Sequence, residues 1–140
     1  MEFEGIYTPL IAPFKSDFTL HSGAMASAID FLVNAGVHGI IVAGTTGEYY
    51  AMSMKERVFL MNNVKDLLNN RLPMIVGTGA IRTEDSIEYA KQAKIAGADA
   101  IMIATPPYAY PTGREIALHA LAIDREANLP VILYLSLIHI

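Results

Sequence analysis

Ala35-Gly36-Val37-His38-Gly39-Ile40-Ile41-Val42-Ala43 and, later in the chain, Ala96-Gly97-Ala98-Asp99-Ala100-Ile101-Met102-Ile103-Ala104 follow one plan. Each sets a glycine where a helix needs a left-handed C-terminal cap, then a short turn, then an apolar run of strand length. A second pair shares another plan: Leu72-Pro73-Met74-Ile75-Val76 and Leu129-Pro130-Val131-Ile132-Leu133. Members of a pair stand two strand-helix units apart, so each unit takes roughly 30 residues, the ordinary size of a βαβ repeat. Strands are expected at Gly5–Ala12, Val37–Ala43, Met74–Gly77, Ala100–Ala104 and Val131–Tyr134. Apolar runs alternating with helical periods give an α/β protein with a parallel sheet. The spacing fits a barrel whose alternate strands fill alternate interior layers, and by itself also fits a doubly wound open sheet.

Four helices fill the gaps. Met25, Ile29, Leu32 and Val33 share one face of the first, which ends at Gly36. Ser53-Met54-Lys55-Glu56 opens the second as a capping box, ahead of a buried stripe of Leu60, Met61, Val64, Leu67 and Leu68. The third starts near Thr83, with Glu84 and Asp85 placed to suit the helix dipole, and ends at Gly97. Thr112-Gly113-Arg114-Glu115 caps the fourth, whose inward face is Ile116, Ala120, Ile123 and Ala127.

With 140 residues, 53% of them hydrophobic, the chain can build one domain with a sizeable core but not two. That hydrophobic fraction suits strands buried on both faces. A net charge of -4, without charge runs, offers nothing to nucleic acid or to an anionic membrane. The absence of cysteine excludes disulfides, thiolate metal sites and cysteine nucleophiles. No secretion signal or membrane span is read, so the expected address is cytoplasmic and the expected ligand a small molecule.

Active sites in parallel sheets form at the C-terminal ends of strands. Gly44-Thr45-Thr46-Gly47-Glu48 follows the second strand. Its glycines, hydroxyls and backbone N–H groups could cradle a carboxylate or phosphate, and a tight turn needing glycine for its own geometry reads equally well. Gly77-Thr78-Gly79-Ala80 follows the third strand and has the outline of a dinucleotide loop. Arg82 at the third glycine position, and Asp99 ahead of its strand, argue against that reading. After the fourth strand, the prolines of Thr105-Pro106-Pro107-Tyr108-Ala109-Tyr110-Pro111 stiffen a loop that either holds a tyrosine hydroxyl over a site or forms an aromatic lid. Tyr134 ends the fifth strand, as a proton carrier or a core aromatic. His21, His38, His119 and His139 lack metal-ligand spacing, and His38 falls on the stability face. None of Lys15, Lys55, Lys65, Lys91 and Lys94 sits at a strand's C-terminal end.

These strand-end segments, with Gly5-Ile6-Tyr7-Thr8-Pro9-Leu10 and Pro13-Phe14 before them and Leu129 to Tyr134 after, occur in the order and approximate spacing of a known family. The chain resembles the N-terminal half of the dihydrodipicolinate synthase and N-acetylneuraminate lyase family, the pyruvate-dependent class I aldolases. The resemblance implies half of a TIM (β/α)8 barrel, about five strands and four helices over residues 1–134, with 135–140 a non-native or truncated tail. It implies a sixth-strand lysine that condenses with pyruvate to an imine, which serves as electron sink in reaction with an aldehyde. Thr46, helped by backbone N–H groups of the Gly44 and Gly47 loop, would bind the pyruvate carboxylate. Tyr134 would relay protons, Thr45 would hydrogen-bond to it, and Tyr108 would complete the relay from a neighbouring subunit of a dimer or tetramer. No cofactor and no metal are implied.

The chain also departs from the family. Tyr49 and Tyr50 stand where several lysine-biosynthetic members have small residues, so the second-substrate pocket is expected to differ. Leu135-Ser136-Leu137-Ile138-His139-Ile140 replaces the usual Asn-x-Pro after the tyrosine, and the Schiff-base lysine and a downstream arginine are missing. The expected parent is therefore a pyruvate lyase or aldolase resembling 4-hydroxy-tetrahydrodipicolinate synthase, with this portion inactive and prone to self-association. The alternatives are a 2-keto-3-deoxy sugar acid aldolase or N-acetylneuraminate lyase, a non-catalytic module for small anions, and a barrel with phosphate-handling chemistry.

Overall fold

The structure, a computed structural model, describes residues 3–135; the tail expected at 135–140 lies outside the described residues apart from Leu135. Five strands, β1 (Tyr7–Pro9), β2 (Gly39–Val42), β3 (Met74–Gly77), β4 (Ala100–Ala104) and β5 (Val131–Tyr134), alternate with α1 (Ser22–Asn34), α2 (Met54–Leu68), α3 (Thr83–Ile95) and α4 (Gly113–Ala127). The strands are all parallel and lie in chain order, β1-β2-β3-β4-β5. A doubly wound sheet reverses its strand order at a switch point, and this one does not. Right-handed crossovers that always step the same way leave every helix on one side, and each helix packs on the next. That arrangement is a segment of a barrel wall.

Strand register divides the side chains between two faces. Ile40, Val42, Met74, Val76, Ile101 and Ile103 join Met25, Ile29, Leu60, Met61, Val64, Ala90 and Ile123 in the core between sheet and helices. The alternate residues Ile41, Ile75, Met102 and Ile132 belong to the opposite, concave face, where Ile41 pairs in register with Ile75 and Met102 with Ile132.

The sequence repeat has a physical counterpart. Gly36 and Gly97 sit at φ +76° and +79°, and each closes its helix with the double hydrogen bond of a Schellman motif: Gly36 N to Val33 O with Val37 N to Leu32 O, and Gly97 N to Lys94 O with Ala98 N to Ala93 O. His38 and Asp99 then occupy equivalent positions ahead of β2 and β4. Ile6 N donates to His38 Nδ1 at 3.0 Å while His38 N donates to Ile6 O; Met74 N donates to Asp99 Oδ2 at 2.8 Å while Asp99 N donates to Met74 O. Each side chain thus ties the N-terminal end of its own strand to the preceding one. In the other repeat the helix ends are left-handed asparagines, Asn69 and Asn128, and the carbonyls of Pro73 and Pro130 accept from Ile40 N and Ile101 N. Both capping boxes, Ser53 with Glu56 and Thr112 with Glu115, form in full. In each, the serine or threonine hydroxyl and backbone N–H hold the glutamate carboxyl below its usual pKa.

The expected boundaries of β1 and β2 were too generous. Gly5 turns at φ +89° against the His38 ring, and Ala43 turns left-handed at φ +53°, so each ends strand geometry early. On α4, Ile123 and Ala127 are buried, Ile116 and Ala120 only partly so, and His119 is buried with them.

Candidate functional site

The loop after β2 is held by its neighbours. Thr45–Gly47 forms one turn of 3-10 helix, followed by a second at Tyr49–Ala51. Gly47 N donates to Gly44 O and Glu48 N to Thr45 O, so those two N–H groups are used within the turn. Gly44 has extended backbone that any residue adopts, whereas a Cβ on Gly47 would stand 3.0 Å from the carbonyl oxygen of Leu10. The glycine at 47 is therefore demanded by packing against the end of β1, which favours the turn reading of this position without touching the ligand reading of the threonines. On the other side, a Cβ on Gly77 would collide with the Ala43 carbonyl and lie 3.3 Å from Gly44 N. The turn is wedged between β1 and β3, with Thr45 and Thr46 exposed at the C-terminal end of the sheet.

Behind this turn lies a group that the sequence reading passed over. Arg57 on α2 is 2% exposed. Its guanidinium donates to Gly77 O at 2.7 Å and to Gly79 O at 3.0 Å, and its Cζ lies 3.4 Å from the Tyr89 ring centroid and 5.1 Å from that of Tyr49. Burial pulls its pKa down, and the adjoining Tyr89 and Tyr49 pull the other way; an arginine keeps its charge in such a place. Two carbonyls and two π-faces thus surround the cation without a carboxylate, and its Nε has no hydrogen-bond partner among the described residues. A signal was available, because position 57 is in phase with the buried stripe of Leu60, Met61, Val64 and Leu68. The Gly77-Thr78-Gly79 loop is occupied by this packing: Gly77 admits the β2 loop, and at Gly79 a Cβ would stand 3.1 Å from the Tyr49 hydroxyl.

In front of the turn opens a cavity of about 580 Å³. Thr45 from the β2 loop, Tyr108 from the β4 loop and Tyr134 from the end of β5 all line it, together with Tyr49, Tyr50 and Tyr110. Thr46, Gly44 and Gly47 do not. Tyr134 is half exposed and Tyr108 fully exposed at a left-handed φ of +71°. Among the described residues, no hydrogen bond joins Thr45 to Tyr134 or Tyr134 to Tyr108. Thr105, at the root of the β4 loop, is buried. Two of the remaining histidines have structural settings, and His139 lies outside the described residues. His21 accepts from Ala24 N at the start of α1, and His119 Nδ1 shares a 2.9 Å hydrogen bond with Thr83 Oγ1. Burial lowers the pKa of His119.

The dihydrodipicolinate synthetase family matches residues 2–136 of the sequence. Among individual relatives, 4-hydroxy-tetrahydrodipicolinate synthase of Bacillus subtilis is 38% identical over 134 residues, which cover 96% of this chain and 46% of the relative. A crystal structure of dihydrodipicolinate synthase superposes with a TM-score of 0.91 at 36% identity, again over 96% of this chain and 46% of the other. A prophage protein of the dihydrodipicolinic acid synthase family from E. coli K12, solved in complex with pyruvate, gives a TM-score of 0.92 at 30% identity, over 96% and 45%. The chain spans about half the length of the curated relatives it matches. Its five strands and four helices are accordingly a partial barrel, and the chain belongs to the dihydrodipicolinate synthetase family.

Proposed function

We propose that the protein to which this chain contributes is a Schiff-base lyase or aldolase that uses pyruvate, in the manner of 4-hydroxy-tetrahydrodipicolinate synthase. The observation that carries this reading is that Thr45 from the β2 loop and Tyr134 from the end of β5 line one cavity at the C-terminal rim of the parallel sheet. A relative of the same fold was solved with pyruvate. In the proposed mechanism Thr46 binds the pyruvate carboxylate with help from the N–H groups that open the turn. Tyr134 moves a proton at the reacting carbon's oxygen, and Thr45 and Tyr108 pass it on. Hydroxyls in such a chain polarise one another, so the proton moves without a lone charged intermediate. The hydroxyls are unbonded to one another here and draw into line around bound substrate, as catalytic hydrogen bonds commonly do. The nucleophilic lysine that attacks the pyruvate carbonyl, and the arginine, are proposed to lie on strands outside these 140 residues, since every lysine here lies on a helix or on the loop after β1. The chain by itself is thus proposed to bind pyruvate without forming the imine.

Tyr108, fully exposed on a proline-stiffened loop, is proposed to complete the relay in a neighbouring subunit, making the working enzyme a homo-oligomer. No helix among the described residues is long and apolar enough to cross a membrane, and the proposed address is the cytoplasm.

The test uses pyruvate on the isotopically labelled chain. Pyruvate is expected to shift the amide signals of Thr45 and Thr46, Thr46→Val to abolish the response, and borohydride to trap no adduct. A stoichiometric adduct at one lysine would overturn the division of labour between this chain and the missing strands. Shifts by phosphate but not pyruvate would favour a module for small anions instead.

A further inference from the structure

We infer that the outer part of the cavity, walled by Tyr49, Tyr50 and Tyr110, takes the body of an uncharged, aromatic aldehyde as the second substrate. The inference rests on the pyruvate reading for the word substrate, and on the cavity alone for the chemistry of its occupant.

A cavity of about 580 Å³ falls in the range that encloses a whole drug-sized ligand. A three-carbon keto acid beside Thr45 leaves most of it empty. The described residues lining the remainder are tyrosines, prolines, Ala104, Thr105 and Ile116, and none carries a charge. The buried cation Arg57 does not line the cavity: its terminal nitrogens donate to Gly77 O and Gly79 O, and its guanidinium faces the Tyr49 and Tyr89 rings. A charged occupant would therefore be desolvated without a partner on this wall. A neutral ring meets tyrosine faces and edges instead, the geometry in which aromatic pairs attract beyond their buried area.

The three tyrosines divide the work. Tyr49 is the fixed wall: Arg57 stacks on its ring, its hydroxyl fills the space left by Gly79, and Tyr50 meets it edge to face at 5.8 Å and 73°. Tyr50 and Tyr110 are 68% and 92% exposed, so their rings are free to close on a ligand from either side. Tyr110 stands at a left-handed φ of +48° with Pro111 after it, which aims the ring at little conformational cost on binding.

The experiment titrates the chain, carrying ring-labelled tyrosine, with three unreactive probes followed by NMR. Benzyl alcohol stands for an aromatic aldehyde, glycerol for a polyhydroxylated one and 4-aminobutyrate for a zwitterionic one. Benzyl alcohol is expected to bind most tightly and to shift the rings of Tyr49, Tyr50 and Tyr110. Tyr50→Ala and Tyr110→Ala, both at exposed positions that leave the core alone, should each weaken it about threefold to tenfold. Tighter binding of glycerol or 4-aminobutyrate, or a benzyl alcohol affinity unchanged in both variants, overturns the inference. Pyruvate shifts at Thr45 and Thr46 report separately on the lyase reading. Loss of those shifts with benzyl alcohol binding intact removes the lyase and keeps the aromatic site; the reverse result removes only the aromatic site.

Discussion

Replacing Arg57 by methionine tests whether a lone buried cation holds the site together. Methionine matches the length of the stem and removes the guanidinium. Gly77 O and Gly79 O, both in buried residues, then lose donors at 2.7 and 3.0 Å. Hydrogen bonds from a charged donor contribute about 1.5–3 kcal/mol each, and a desolvated cation–π contact about 2 kcal/mol. Against these stands the desolvation of the guanidinium, several kcal/mol, which methionine relieves. Swapping a whole buried ion pair for apolar groups is often neutral for that reason. Here only the donor leaves and the carbonyls stay behind, so the unpaired acceptors decide the sign. The expected net loss is about 2–3 kcal/mol, read as a lower urea midpoint with an unchanged slope in far-UV circular dichroism. Arg57→Lys keeps the charge but cannot fork to two carbonyls while lying flat on Tyr89, and should recover less than half of the loss. A methionine variant within about 0.5 kcal/mol of the parent, the scatter of ordinary surface substitutions, would refute the reasoning.

Two further substitutions probe the same framework. Gly77→Ala should cost about 1–3 kcal/mol, because its Cβ meets the Ala43 carbonyl carbon at 3.0 Å and must displace the β2 loop. Urea unfolding measures the loss, and altered amide shifts at Thr45 and Thr46 show that the displacement reaches the site. His119 is buried and its pKa lies below the ordinary value of 6.5. The unfolded chain therefore takes up the proton first, and stability should be full above pH 6.5 and fall as the pH drops from there toward the folded-state pKa. His119→Gln should flatten urea midpoints across that window; an unchanged slope would mean that another group carries it.

The parts of the fold readable from sequence were those fixed by local rules. β3, β4 and β5 have the expected bounds because Pro73, Asp99 and Pro130 mark where each begins. Both capping boxes form because serine or threonine followed three residues later by glutamate needs nothing else in the molecule. What local rules miss is what depends on contact between distant segments. The ends of β1 and β2 are set by Gly5 against His38 and by Ala43 against Gly77, contacts that no window of sequence contains. Asn69 and Asn128 close helices without the glycine that signals such an end. In the site, the tyrosines and threonines were legible as strand-end residues, but the separation of Thr45 at the cavity wall from Thr46 outside its lining comes from the pitch of one 3-10 turn. Arg57 does not stand out and His119 reads only as a non-ligand because polar residues read as surface, although both fall in phase with buried stripes.

Backbone strain shows where this scaffold puts its freedom. The left-handed residues at helix ends are Gly36, Gly97, Asn69, Asn70 and Asn128, types that tolerate that conformation. The other non-glycine residues at positive φ are Phe18, Ala43, Glu48, Tyr108 and Tyr110, and all lie in the loops after β1, β2 and β4. A left-handed residue with a Cβ costs about 1–2 kcal/mol, and persists only where its surroundings over-determine it. Ala43 is held by Gly77, Tyr108 follows two prolines, and Tyr110 precedes Pro111. The N-terminal end of the sheet, tied by His38 to Ile6 and by Asp99 to Met74, uses only glycine and asparagine at its left-handed positions, the types for which the cost is smallest. Strain concentrated on one rim, over a base held by paired hydrogen bonds, is what a barrel needs to set side chains around a cavity without loosening the strands that carry them.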